Sequence, residues 1–128
     1  MKELTRAEEQ VMQILWRIGK GHVNDLLTYF PEPKPAYNTV STIIRILEKK
    51  EVVGHEAIGK SYRYFPLITK QDYTRHSLRQ MVKGYFSNSY KQMVSFFAHE
   101  NDLSVNEMEE IKQLLDQQIS EKIKKPWT

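Results

Sequence analysis

Cysteine is absent from this 128-residue chain. That excludes a disulfide framework, a cysteine-ligated zinc or iron–sulfur site, and a thiol nucleophile. Glycine and proline are sparse, at five residues each, and no Gly-rich run of the phosphate-cradling kind occurs. No apolar stretch approaches the roughly 20 residues of a membrane span. The first twenty residues carry Lys2, Glu3, Arg6, Glu8, Glu9 and Arg17, a pattern unlike a secretory signal. A soluble, cytoplasmic protein without membrane insertion is expected. The four histidines, His22, His55, His76 and His99, have no metal-ligand spacing, and no serine has a recognisable base partner. Neither a metal, a cofactor nor an enzymatic activity is expected.

What is present suffices for a core: 40 % of residues are hydrophobic and 27 % charged. The net charge is only +3, but its distribution is uneven. Residues 34–63 hold six basic side chains against three acids, and residues 100–121 hold seven acids against Lys112 alone. A basic middle and an acidic later segment suggest two parts with different tasks.

Thr5 and Glu8 have the spacing of a helix capping box. Val11, Ile14, Leu15 and Ile18 then recur at helical spacing, and Gly19-Lys20-Gly21 ends the segment. A short helix from Asn24 to Phe30, capped by Asn24 or Asp25, is predicted next, closed by Pro31, Pro33 and Pro35. A third helix runs from about Ala36 to Lys50. On it Val40, Ile43, Ile44 and Leu47 form an apolar stripe. Asn38, Ser41, Thr42 and Arg45 repeat the same offsets two residues earlier, about 200° around the helix. Short hydrogen-bonding side chains are weak helix formers, so their concentration here points to contact with another molecule.

Val52–Ala57 and Ser61–Phe65 read as two strands joined by Ile58-Gly59-Lys60. Tyr62 and Tyr64 share a face and are expected to anchor the hairpin to the body. Three helices and a hairpin in this order make a winged helix-turn-helix over residues 1–67. Residues 68–128 read as three further helices, with a second capping box at Ser104 and Glu107 and candidate breaks at Gly84 and Ser87-Asn88-Ser89. This segment is too short to bury Tyr85, Phe86, Tyr90, Met93, Phe97, Met108, Ile111, Leu114 and Leu115 by itself. A homodimer would bury them, and would also set two recognition helices in register on DNA.

Asn38, Ser41, Thr42 and Arg45 are the candidate base readers: Asn suits adenine, Arg suits guanine, and a Thr methyl suits thymine. Lys34, Tyr37, Thr39, Lys49, Lys60, Ser61 and Arg63 are candidates for the DNA backbone. The competing reading is a winged helix used as a protein–protein adaptor.

The chain resembles the penicillinase-repressor family (BlaI/MecI/CopY) of bacterial transcriptional repressors. The resemblance rests on Leu4–Glu8 with Val11–Trp16, on Tyr37–Lys50, on the hairpin Gly59–Leu67, and on Asp102–Ser104 with Glu107, Glu109–Ile111, Leu114 and Leu115. It implies a homodimer that binds dyad operators of resistance genes and represses transcription. In the β-lactam branch a membrane sensor-protease system leads to cleavage of the dimerisation domain at an Asn-Phe bond. The aligned pair here is Phe96-Phe97, with Phe97 kept and Phe96 in place of Asn, which implies either altered cleavage specificity or none. The copper branch senses metal through Cys-x-Cys motifs, which this chain lacks.

Overall fold

The computed structural model describes residues 3–125. The element order is α1 (Arg6–Ile18), α2 (Val23–Thr28), α3 (Tyr37–Lys49), β1 (Val53–Ile58), β2 (Ser61–Pro66), α4 (Lys70–Tyr85), α5 (Tyr90–His99) and α6 (Val105–Lys124). The chain is mostly helical, with one two-stranded antiparallel hairpin. It forms two compact units, one running to Leu78 and the other starting at Arg79. The division falls within α4.

In the first unit, α1 begins at the Thr5/Glu8 capping box. The Glu8 amide donates to Thr5 Oγ1 at 3.2 Å, and the Thr5 amide donates to Glu8 Oε1 at 3.1 Å. The apolar face of α1 places Val11, Met12, Ile14 and Leu15 in the core, with Leu26 of α2 and Val40, Ile44 and Leu47 of α3. Helix α2 is shorter than the sequence suggests and starts one residue earlier. Its N-cap is His22, not Asn24 or Asp25. Asp25 takes part as the third residue of the helix, its carboxylate accepting from the His22 amide at 2.9 Å. The reversal is physical: an acid at N3 caps as well as one at the N-cap.

Helix α3 ends in a complete Schellman turn. The Val52 amide donates to Leu47 O at 3.1 Å and the Glu51 amide to Glu48 O at 2.9 Å. Glu51 takes φ +64°, a position usually held by glycine. The hairpin follows at once, in the register Val53↔Pro66 to Ile58↔Ser61. Its turn is two residues, Gly59 and Lys60, with Gly59 at φ +62°. Both Tyr64 backbone groups pair with Gly21, at 2.8 and 3.0 Å. A Cβ on Gly21 would stand 2.8 Å from Ile18 Cδ1 and 3.3 Å from Asp25 Cβ, so the glycine lets the chain pass closely between the end of α1 and the start of α2.

Tyr64 is buried, but Tyr62, two residues nearer the turn, is half exposed. Only Tyr64 anchors the hairpin as expected. Tyr62 packs its ring against His55 instead, with centroids 4.6 Å apart and the planes tilted by 60°.

The start of α4 is fixed within the first unit. Trp16 Nε1 donates to Ile68 O at 2.9 Å, and the Tyr73 hydroxyl donates to Glu9 Oε1 at 2.7 Å. The Trp16 and Tyr73 rings lie 5.8 Å apart. Burial, with the Glu9 carboxylate beside it, raises the pKa of Tyr73.

In the second unit, α4 continues through Gly84 and stops at Tyr85. Ser87 and Asn88 follow with positive φ. Ser89 caps α5 by accepting from the Gln92 amide at 3.1 Å. Ser104 and Glu107 form the expected second capping box at the start of α6. Phe96 meets Phe86 edge-on at 5.9 Å. An apolar groove of about 320 Å³ lies between α5 and α6, lined by Val94, Leu103, Met108, Ile111 and Leu115 among others.

Candidate nucleic-acid interface

Helix α3 turns its apolar stripe, Val40, Ile44 and Leu47, into the core. The exposed side carries Asn38, Thr39, Thr42, Arg45, Ile46 and Lys49. At 100° per residue these six span about 120° of the helix, centred near Thr42. Thr42 Oγ1 donates to Asn38 O at 2.9 Å. With its proton committed to the backbone, Thr42 offers a partner its methyl group and oxygen lone pairs.

Ser41 does not lie on this face. It is 8 % exposed, and its hydroxyl accepts from Arg45 Nη2 at 3.3 Å. The sequence places it among the base readers because it sits one turn before Arg45. Tyr64, on β2, is buried. Burial foremost, then the Glu48 charge, raises the Tyr64 pKa, with Arg45 opposing. His55 Nδ1 stands 2.5 Å from Glu48 Oε2, tying β1 to the end of α3. Ser41 therefore acts behind Arg45, as a hydrogen-bond partner that limits where the guanidinium points.

The basic candidates divide into free and engaged. Lys49 at the end of α3 and Lys60 at the hairpin turn are exposed and form no ion pair among the described residues. Ser61 beside Lys60 is exposed and donates to Ile58 O at 3.1 Å within the turn. Arg63 is engaged: its guanidinium pairs with Glu56 across the hairpin, Nε donating at 2.7 Å. That bond chiefly, with the charges of Arg63 and Lys20, lowers the Glu56 pKa. Lys34 is engaged too. It donates to Leu27 O and Thr28 O at 3.1 and 3.3 Å, closing the C-terminus of α2. Neither role is visible in sequence, because both depend on a partner that only the fold supplies. Tyr37 is half exposed at the start of α3, and Thr39 is exposed.

Ile46 is the residue that sequence reasoning passes over. It is 39 % exposed, on the side of the polar face that also carries Thr39. The signal was its offset of four from Thr42, which is the same as that from Asn38 to Thr42.

Among the described residues no three His, Asp or Glu side chains gather as metal ligands. No helix there is long and apolar enough to cross a membrane.

Three helices, a hairpin closed against α1, and an exposed polar face on the third helix define a winged helix-turn-helix protein. The penicillinase repressor family model matches residues 4–117. The chain belongs to that family, whose members are transcriptional repressors and not enzymes. It is 24 % identical over 115 residues to the methicillin resistance regulatory protein MecI of Staphylococcus aureus strain N315, covering 89 % of this chain and 94 % of that one. It is 23 % identical over 121 residues to the penicillinase repressor of Bacillus licheniformis, covering 94 % of each. Among solved structures, the DNA-binding domain of the repressor BlaI is 26 % identical, covering 57 % of this chain and 94 % of that one, with a TM-score of 0.49.

Proposed function

We propose that this chain is a homodimeric repressor that places α3 in the major groove of a dyad operator and rests its hairpin on the flanking phosphates. The observation that carries the reading is the α3 face: Asn38, Thr42 and Arg45 are exposed together, with Lys49 and Lys60 free to meet phosphate. Asn38 and Arg45 supply direct readout. Lys49, Lys60, Thr39, Ser61 and Tyr37 supply sequence-independent positioning. Lys34 and Arg63 are secondary contributors, since part of their donor set is engaged within the protein.

Support for the dimer comes from the unit beginning at Arg79. Val82 is the one buried residue described in it. Tyr85, Tyr90, Phe97, Met108, Leu114 and Leu115 are between 37 % and 81 % exposed, and Phe86, Met93 and Ile111 are partly covered. So many large apolar side chains on one small unit call for a partner, and a second copy also meets the two-fold demand of a dyad operator.

Derepression by proteolysis in this unit completes the proposal, through a membrane sensor-protease system whose cleavage specificity accepts Phe96 in place of Asn. The Phe96–Phe97 bond lies inside α5, so the helix must open before a protease can seat it.

Selection of bound sequences from random duplex DNA, followed by sedimentation of the complex, tests the reading. A recovered dyad with two chains bound is the expected result. Failure to enrich any sequence would favour the protein–protein adaptor.

A further inference from the structure

The exposed face of α3 is not uniformly polar. Thr39 and Ile46 line one edge of it with methyl groups, Thr42 adds a methyl at its centre, and Asn38 and Arg45 line the other edge. Ile46 does not belong to the core cluster, although its neighbour Ile43 packs against that cluster. It is also β-branched, so its methyl groups are held in few orientations. An isolated exposed Ile is ordinary. One that continues a methyl-bearing edge beside a guanidinium has a more specific use.

We propose that Ile46 is a specificity-determining residue that reads the 5-methyl group of thymine. The inference rests on the major-groove reading of α3. Thymine presents in that groove one apolar group, its C5 methyl, beside a carbonyl acceptor. A helix with a donor edge and a methyl edge reads guanine or adenine with the first and an adjacent thymine with the second. The thymine preference then comes from burying the two apolar surfaces against each other. Replacing thymine by uracil removes one methyl group and leaves base pairing intact. At about 0.8 kcal/mol for a buried methyl-sized group this costs about fourfold in affinity.

The test uses the full chain and a duplex selected by it from random DNA. Each thymine is exchanged in turn for deoxyuridine, and binding is measured for the wild type, Ile46→Ala and Ile46→Val. Far-UV circular dichroism checks that the variants fold. The wild type should lose about fourfold at one thymine position in the selected sequence. Ile46→Ala should bind thymine and uracil equally there, and Ile46→Val should keep part of the difference. Two results would overturn the assignment alone: specific wild-type binding indifferent to every uracil exchange, or a methyl effect that survives in Ile46→Ala. If the wild type selects no sequence, the DNA-binding reading fails and this inference falls with it.

Discussion

Lys50 and Glu8 join the end of α3 to the start of α1, with Nζ 2.5 Å from Oε1. The Glu8 side chain is 7 % exposed and that of Lys50 21 %. Burial by itself would raise the Glu8 pKa, but the Lys50 hydrogen bond and charge, with the Thr5 amide, leave it lowered. Replacing Lys50 by Met keeps most of the side-chain stem and strands the carboxylate. An exposed pair is worth at most about 1 kcal/mol, and stripping a fully buried charge of its partner costs about 3–5 kcal/mol. Glu8 keeps its bond from the Thr5 amide, so Lys50→Met should cost about 2–3 kcal/mol near neutral pH. With a urea m-value of roughly 1–3 kcal/mol per molar, the midpoint falls by about 0.7–3 M.

Linkage fixes the pH dependence. A carboxylate with a lowered folded pKa stabilises fully above its unfolded value, 4.5, and loses that contribution as pH falls through the folded value. The gap between wild type and Lys50→Met should therefore narrow as pH falls below 4.5 and Glu8 takes up its proton. In a Glu8→Gln background, Lys50→Met should cost well under about 1 kcal/mol. Urea titrations at fixed protein concentration measure all four proteins. An equal loss in both backgrounds, or a gap that does not narrow as pH falls below 4.5, would refute the argument.

Other perturbations have clear signs. Glu51→Gly relieves a non-glycine residue at φ +64° in the Schellman turn; the urea midpoint should rise, by up to about 1 kcal/mol in stability. Arg45→Ala should weaken binding to a selected operator by about 1–3 kcal/mol and relax its sequence preference, and Ser41→Ala should relax preference with a smaller loss of affinity; both are read by competition against base-substituted duplexes. Lys60→Ala should leave sequence preference unchanged and lower the slope of log affinity against log salt by about 0.9. Leu114→Glu with Leu115→Glu should shift the sedimenting species from dimer to monomer, because both side chains are half exposed on α6.

The elements whose cause is local were legible in the sequence. The capping boxes at Thr5 and Ser104 and the α3 stripe need only residues a turn apart. Assignments that depend on a distant partner were not legible. Ser41 has the spacing of a reader, but it is buried and its hydroxyl accepts from Arg45. Arg63 looks free until Glu56 is placed opposite it in the hairpin register. Lys34 looks like a phosphate contact until the chain turns it back onto the α2 carbonyls. Gly21 reads as a helix stop, and its approach to Tyr64 appears only in three dimensions. Ile46 is hidden for the opposite reason: an aliphatic residue among aliphatic neighbours is assigned to the core, and only its exposure in the fold separates it from Ile43 and Leu47.

The most direct measurement is binding of the full-length protein to the DNA upstream of its own gene, at two salt concentrations, with non-specific DNA as competitor. The account predicts tight binding that resists competitor and weakens steeply with salt. Absence of binding at low salt, or binding abolished by non-specific competitor, would contradict it.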